Sequence, residues 1–240
     1  FVKFGGSTIY NYDGRKYGET TITTVLEKSI NTGAVFVEEL LPHDIFLEYI
    51  EAFGFFEKTG IDIPEIYSEN KELKKGYEIN FATCSFGQGI EMTPIQLIRA
   101  FSVIANGGNL VTPYIIKKEG NDVKKPEVLR RVISSNTASQ LSAMLVSVVE
   151  NGYAKSAQVP GYYVAGKTGT AQVPERGTYS TEKTIQTFLG YSPAFDPKFL
   201  VLIKLDNPTT KTAEYSAVPM FHDIAKYIID YWQIPPDYSN

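Results

Sequence analysis

The sequence predicts an α+β fold, an antiparallel sheet flanked by helices, and three observations carry that expectation. Helix-period stretches dominate the first 150 residues, three strand-like runs follow between residues 164 and 205, and an amphipathic stretch comes near the end. Strands joined by short or polar turns pair antiparallel, and helices before and after them can cover both faces of the sheet.

Taken in order, Phe1 to Phe4 reads as a strand. Thr23 is expected to cap a short helix running through Glu27 or Ser29. Asn31 is expected to cap a second, in which Ala34, Val35, Glu38 and Glu39 set the two faces. Ser29 and Asn31 therefore fall in the joint between two helices. A third helix covers about Asp44 to Ala52, with Ile45, Tyr49 and Ala52 on one side, and closes at Gly54. Gly60 to Lys75 is polar and proline-marked, which reads as a loop. Thr93-Pro94 is a capping residue followed by a proline at the first helical position, and Leu97, Ile98, Phe101, Ile104 and Ala105 then recur at helical spacing until Gly107-Gly108. Another helix starts after Ser135, carries Ala138, Leu141, Leu145 and Val148 on one stripe, and ends at Asn151-Gly152. Val164 to Gln172, Thr187 to Tyr191 and Phe199 to Leu205 are the three strands. A helix from about Val218 to Trp232 follows, with Phe221, Ile224, Ala225, Ile228 and Trp232 inward.

Composition narrows the classes of function. The 240 residues suit one large domain, 1–240, with no visible linker, and 43% hydrophobic with 21% charged residues is ordinary for a globular protein. A net charge of -4 argues against a nucleic-acid surface. The single cysteine, Cys84, excludes an internal disulfide, and His43 and His222 are too few for a histidine-rich metal site. Each histidine precedes an aspartate within helix-like sequence, where a surface or capping role is expected. No metal and no cofactor is expected. The longest apolar run, Phe199 to Ile203, is too short to cross a bilayer, so the chain is expected to be soluble as it stands. It begins at Phe1 inside a strand-like run and without a methionine, and is expected to be a fragment lacking the N-terminal part of its domain.

Chemistry concentrates at Gly166 to Gln172, where one cation, Lys167, sits among glycines and threonines in an otherwise apolar strand. Thr168 and Thr170 share a face by the two-residue period, and Gly169 leaves room for something to approach the backbone. A fixed positive charge beside hydroxyls suits an acidic, carbonyl-bearing ligand. Upstream, Ser29-Ile30-Asn31 places a hydroxyl and a carboxamide two residues apart where both can project into one cleft. By itself the triplet is equally well explained by helix capping.

Together the two segments are two thirds of a three-part signature, Ser-x-x-Lys, Ser-x-Asn and Lys-Thr-Gly. Phe53-Gly54-Phe55, Thr59-Gly60-Ile61-Asp62, Ser85-Phe86-Gly87-Gln88-Gly89, Thr93-Pro94-Ile95-Gln96-Leu97, Asn106-Gly107-Gly108 and Val159-Pro160-Gly161-Tyr162 follow in the order of one family. Across nearly its whole length the chain resembles the transpeptidase domain of class B penicillin-binding proteins, the division and sporulation type. The resemblance implies a bacterial, membrane-anchored serine acyltransferase on the extracytoplasmic face, anchored through a segment upstream of these residues. It takes a stem peptide ending in D-Ala-D-Ala, forms an acyl-enzyme, and passes the acyl group to an amine of a neighbouring strand. β-Lactams are its inhibitors, and divisome or sporulation proteins are expected partners.

The same resemblance assigns roles. Lys167 attracts the terminal carboxylate with help from the Thr168 and Thr170 hydroxyls, beside Gly169. The Thr170 amide is half of an oxyanion hole, a donor of the kind that contributes about 3 kcal/mol to barrier lowering. Ser29 relays a proton to the leaving nitrogen, Asn31 holds the substrate amide, and Gln172 lines the acceptor side. The nucleophile is the departure: the family's Ser-x-x-Lys precedes Ser-x-Asn by several tens of residues, and Phe1 to Lys28 does not contain it. Ser68-Glu69-Asn70-Lys71 and Ser180-Thr181-Glu182-Lys183 fit the spacing but follow in the wrong order, Ser68 in a polar loop and Ser180 in the turn after the lysine strand. Neither is assigned. Without the nucleophile's helix, residues 1–240 alone are expected to fold poorly and to acylate nothing. The alternatives are a non-catalytic scaffold module in a cell-wall assembly and, last, a β-lactamase or β-lactam sensor; the chain lacks the Glu-x-x-Leu-Asn element of a class A hydrolase.

Overall fold

A computed structural model describes the backbone of residues 1–175 and 178–239, and their side chains apart from 174, 175, 178, 179, 181 and 182. A short hairpin, β1 (Val2–Phe4) with β2 (Ser7–Ile9), leads into α1 (Ile22–Glu27), α2 (Asn31–Glu39), α3 (His43–Ala52), α4 (Lys71–Lys74), α5 (Glu78–Ser85) and α6 (Pro94–Ala105). A side excursion follows: β3 (Asn109–Thr112), β4 (Lys118–Glu119), β5 (Asp122–Val123) and β6 (Glu127–Arg131). Then come α7 (Ser135–Asn151), β7 (Ala165–Glu175), β8 (Thr178–Ser192), β9 (Phe199–Asp206) and α8 (Ala217–Trp232).

The centre is the antiparallel sheet of order β7-β8-β9, with Ala165 opposite Tyr191, Thr168 opposite Phe188, and Phe188 in turn opposite Ile203. Alternation along the strands sends residues to two apolar layers. On one side Phe188 meets Phe221 of α8 with ring centroids 4.8 Å apart, among Val218, Ala225 and Ile229. On the other, Ala165 and Tyr191 pack on Leu145 and Val146 of α7 and on Phe101 and Ile104 of α6. The buried Tyr191 hydroxyl is satisfied by Ser142 at 2.7 Å. Among the described residues β7 pairs with β8 alone, so no further strand covers its outer edge.

Several expected boundaries shift for physical reasons. Thr21, not Thr23, caps α1, its Oγ1 accepting from Thr24 N at 3.1 Å. Asn31 is the first helical residue of α2 and does not cap it; Ile30 holds the cap position without a side-chain bond. The segment Gly60 to Lys75 contains the one-turn helix α4, opened by Asn70 in a left-handed conformation (φ 50). Ser180 lies in β8 and not in a turn, so the hairpin is longer than expected. The start of α6 has the anticipated cap, reinforced by a reciprocal capping box between Thr93 and Gln96.

The motifs quoted above meet here as scaffold. Buried Arg99 of α6 donates to Gly54 O at 2.8 Å and Thr59 O at 3.2 Å, and Gln96 donates to Phe55 O and Glu57 O. Gly54, at φ 83, leaves no room for a side chain: a Cβ would sit 2.1 Å from Arg99 Nη2. The Asp62 carboxylate accepts from Ile115 N and Ile116 N, which holds it below the usual carboxylate range.

Candidate active site

The turn carrying Ser29 is built by the way α1 stops. Ile30 N donates to Val25 O at 2.9 Å and Ser29 N to Leu26 O at 3.3 Å, the paired bonds of a Schellman stop, and Ser29 takes the left-handed position with φ 50. Val25 and Ile30, the positions whose apolar side chains accompany such a stop, are 9% and 3% exposed. Glycine usually fills that position, because a side chain there costs about 1–2 kcal/mol. Serine is held against that cost, which is the signature of a constrained functional residue.

Two neighbours fix the turn in place. Glu27 Oε1 accepts from Ser147 Oγ of α7, and Glu27 O accepts from Tyr153 N at 3.3 Å. On the other side Asn31 Nδ2 donates to Tyr10 O at 2.9 Å, while Asn11 reaches both ways, Nδ2 to Arg15 O at 3.0 Å and Oδ1 from Thr32 N at 2.9 Å. Asn11 thus caps α2 from another segment. Sequence inspection missed it, because a cap supplied from twenty-one residues away leaves no local pattern.

Lys167 projects from the edge strand onto this turn. Its Nζ donates to Ser29 Oγ at 2.9 Å, to Thr168 O at 3.0 Å and to Thr168 Oγ1 at 3.3 Å, so its three protons meet neutral oxygens. No acidic side chain among the described residues forms an ion pair with it. Burial without a counter-charge pushes the ammonium down to about 8. Since Ser29 Oγ accepts from Lys167, its own proton is left to donate onward.

The other candidates are distributed along the edge. Thr170 Oγ1 accepts from Ala213 N at 3.2 Å, which ties the strand to the turn before α8 and leaves the hydroxyl proton available. Gly169 answers first to its own sheet, since a Cβ there would lie 2.5 Å from Thr187 Oγ1. Gln172 is exposed and donates to Ser180 O at 3.1 Å across the hairpin, so its amide nitrogen is engaged within β7 and β8. Ser68 donates to Glu91 Oε2 at 2.8 Å, and Ser180 Oγ accepts from Lys183 N at 3.0 Å. A cleft of about 450 Å³ beside α7 and α8, lined by Lys155, Gln158, Tyr162 and His222, contains none of the candidate residues. The candidate site is an edge strand facing a strained turn.

Comparison with known proteins places this geometry in a family. The model of the penicillin binding protein transpeptidase domain matches residues 3–226. Stage V sporulation protein D of Bacillus subtilis (strain 168) is 40% identical over 200 residues, covering 80% of this chain and 31% of its own. A peptidoglycan D,D-transpeptidase FtsI homolog of Mesostigma viride is 30% identical over 247 residues, covering 92% of this chain and 41% of its own. The chain thus spans 31% and 41% of the lengths of these two relatives. The crystal structure of penicillin binding protein 3 from Mycobacterium tuberculosis, complexed with ampicillin, superposes with a TM-score of 0.86 at 30% identity, over 99% of this chain and 57% of that one. With its lysine strand, its strained serine turn and its motifs in order, the chain belongs to the penicillin-binding protein transpeptidase family.

Proposed function

We propose that residues 1–240 are the C-terminal portion of a serine-type peptidoglycan D,D-transpeptidase domain and supply the wall that grips the donor peptide and moves its proton. The observation that carries this reading is Lys167 Nζ at 2.9 Å from Ser29 Oγ, a cation without a counter-charge on a hydroxyl free to donate. The donor's terminal carboxylate supplies that counter-charge, with the Thr168 and Thr170 hydroxyls beside it. A serine oxygen attacks the carbonyl carbon of the penultimate D-Ala, and the oxyanion is held by the Thr170 amide. The C–N bond then breaks, the leaving D-Ala nitrogen takes the Ser29 proton, Lys167 restores it, and the proton given up by the attacking serine recharges Lys167. An ammonium with its pKa near 8 is matched to that task at neutral pH. An acceptor amine next attacks the ester, the C–O bond breaks, and the amine's proton passes to the departing serine oxygen, which frees the serine. Asn31 Oδ1 orients the substrate amide, and Gln172 and Gly169 flank the path.

The acylated serine is proposed to lie outside residues 1–240. Ser68 and Ser180 are held by Glu91 and by Lys183 N, away from the Lys167 and Ser29 pair. The finer reading places the domain on the extracytoplasmic face of a bacterial membrane, anchored by a segment outside these residues, working with division or sporulation proteins on stem peptides and inhibited by β-lactams. The test is D-Ala release from a peptide ending in D-Ala-D-Ala by the full-length protein. Turnover that Lys167→Met abolishes supports the reading. No turnover and no covalent penicillin uptake would leave the non-catalytic scaffold.

A further inference from the structure

A polar side chain with no exposure lies directly across the sheet from Thr170. Gln186 of β8 is 0% exposed and pairs in register with Thr170 of β7, so both side chains leave the sheet on the same face. Its carboxamide is saturated. Nε2 donates to Thr210 O at 2.7 Å and to Thr184 Oγ1 at 3.0 Å, and Oε1 accepts from Thr210 Oγ1 at 3.0 Å and from Ser216 Oγ. Two of these partners, Thr210 and Ser216, belong to residues 207–216, which join β9 to α8.

Gln186 holds that connection against its local preferences. Ser216 occupies the N-cap of α8, where a serine oxygen ordinarily accepts from a backbone N–H of the first turn, yet its side chain makes no cap bond. Its hydroxyl is turned to Gln186 instead. Thr212 Oγ1, in the same segment, is buried with no hydrogen-bond partner among the described residues, which is itself a cost. A segment that forgoes one bond and buries a lone hydroxyl needs a fixed point, and the Gln186 amide supplies it. Between the two anchors stands Ala213, 0% exposed, whose N–H donates to Thr170 Oγ1 at 3.2 Å. That bond occupies one lone pair of Thr170 Oγ1 and directs the hydroxyl proton away from the segment.

We propose that Gln186 is a positioning residue for the transpeptidation described above: through Thr210 and Ser216 it fixes Ala213, and Ala213 N aims the Thr170 hydroxyl at the donor's terminal carboxylate. This rests on the transpeptidase reading and adds to it an enclosed residue on a neighbouring strand. Gln186 touches no substrate, so its effect passes through Thr170.

The experiment is a double-mutant cycle on the full-length protein, read as the second-order rate of penicillin acylation. Gln186→Leu removes the amide and keeps an apolar side chain of similar size. With Thr170 present it is expected to slow acylation about tenfold, the equivalent of one hydrogen bond. In a Thr170→Val background, where no hydroxyl is left to aim, the same change is expected to cost less than about twofold. An equal loss in both backgrounds, the mark of a purely structural amide, would overturn the proposal, as would a folded Gln186→Leu that acylates at the wild-type rate. Ser216→Ala removes one anchor and spares the buried amide, so it serves where Gln186→Leu fails to melt cooperatively. Its loss of about threefold is expected to vanish likewise beside Thr170→Val; a loss that persists there, or none in either background, overturns the proposal. D-Ala release by the wild type separates the failures. Where the wild type turns over and acylates while the cycle is additive, Gln186 alone falls; where both activities are absent, the transpeptidase reading falls and takes the proposal with it.

Discussion

Raising the pH through 8 should change the chemistry of Lys167 before that of any ordinary lysine. An amine with a pKa of 10.5 is neutral in about one molecule in 300 at pH 8, whereas one shifted to about 8 is half neutral, a difference of roughly 150-fold. The displacement also corresponds to roughly 3 kcal/mol of disfavoured charge in the folded state. Its sign follows from the direction. The folded value lies below the unfolded one, so the destabilisation is present in full below pH 8 and is relieved as pH rises from 8 to 10.5, where only the unfolded chain still holds the proton. Competitive acetylation with isotopic anhydride, read by peptide mass spectrometry on the full-length protein, reports the titration of each lysine independently of its accessibility. Lys167 is expected to show its inflection near pH 8, and Lys226, which Asp230 lifts above the usual lysine value, well above it. A Lys167 inflection at or above pH 10 would refute the argument that its burial lacks a counter-charge.

Ser29→Gly relieves the left-handed strain of about 1–2 kcal/mol, against which the freer unfolded glycine costs 0.4–1 kcal/mol. It should thus melt higher than Ser29→Ala, by the equivalent of about 0.5–1 kcal/mol, while both lose turnover. Equal melting would contradict the strain account. Gly54→Ala must adopt φ 83 and displace the Arg99 guanidinium, so a loss above about 3 kcal/mol is expected in denaturant titration; a loss under 1 would show that Arg99 yields easily. Asn11→Ala removes the remote cap of α2 and should cost about 1 kcal/mol. It should also slow acylation more than stability alone explains, since the first turn of α2, which carries Asn31, loses its anchor at Thr32 N; a rate that tracks stability argues against that positioning role.

The parts of the fold that were legible are those whose signals are local. Thr93, Pro94 and Gln96 announce a helix start within four residues, and the stripes of α7 and α8 announce their inner faces. Illegible parts depend on distant partners. β3 pairs with β6 across the short β4–β5 hairpin, α5 has a weak stripe because it is buried on several sides, and Ser180 belongs to a strand extended only by its pairing with β7. At the candidate site the residue types were visible as motifs. The meeting of Ser29 with Lys167, 138 residues apart, could be anticipated only through the family resemblance. The Schellman stop at Ser29 escaped notice because the position ordinarily announces itself with glycine, and the helper residues Asn11 and Tyr10 act through backbone groups far along the chain.

The rate at which penicillin acylates the full-length protein, measured for wild type and Lys167→Met with the modified peptide identified, bears most directly on the role of the edge-strand cation. The expected result is modification of a serine outside residues 1–240, slowed at least a hundredfold by the substitution, the scale of losing a preorganised charge and proton donor. Modification of Ser68 or Ser180, or an undiminished rate in the variant, would contradict it.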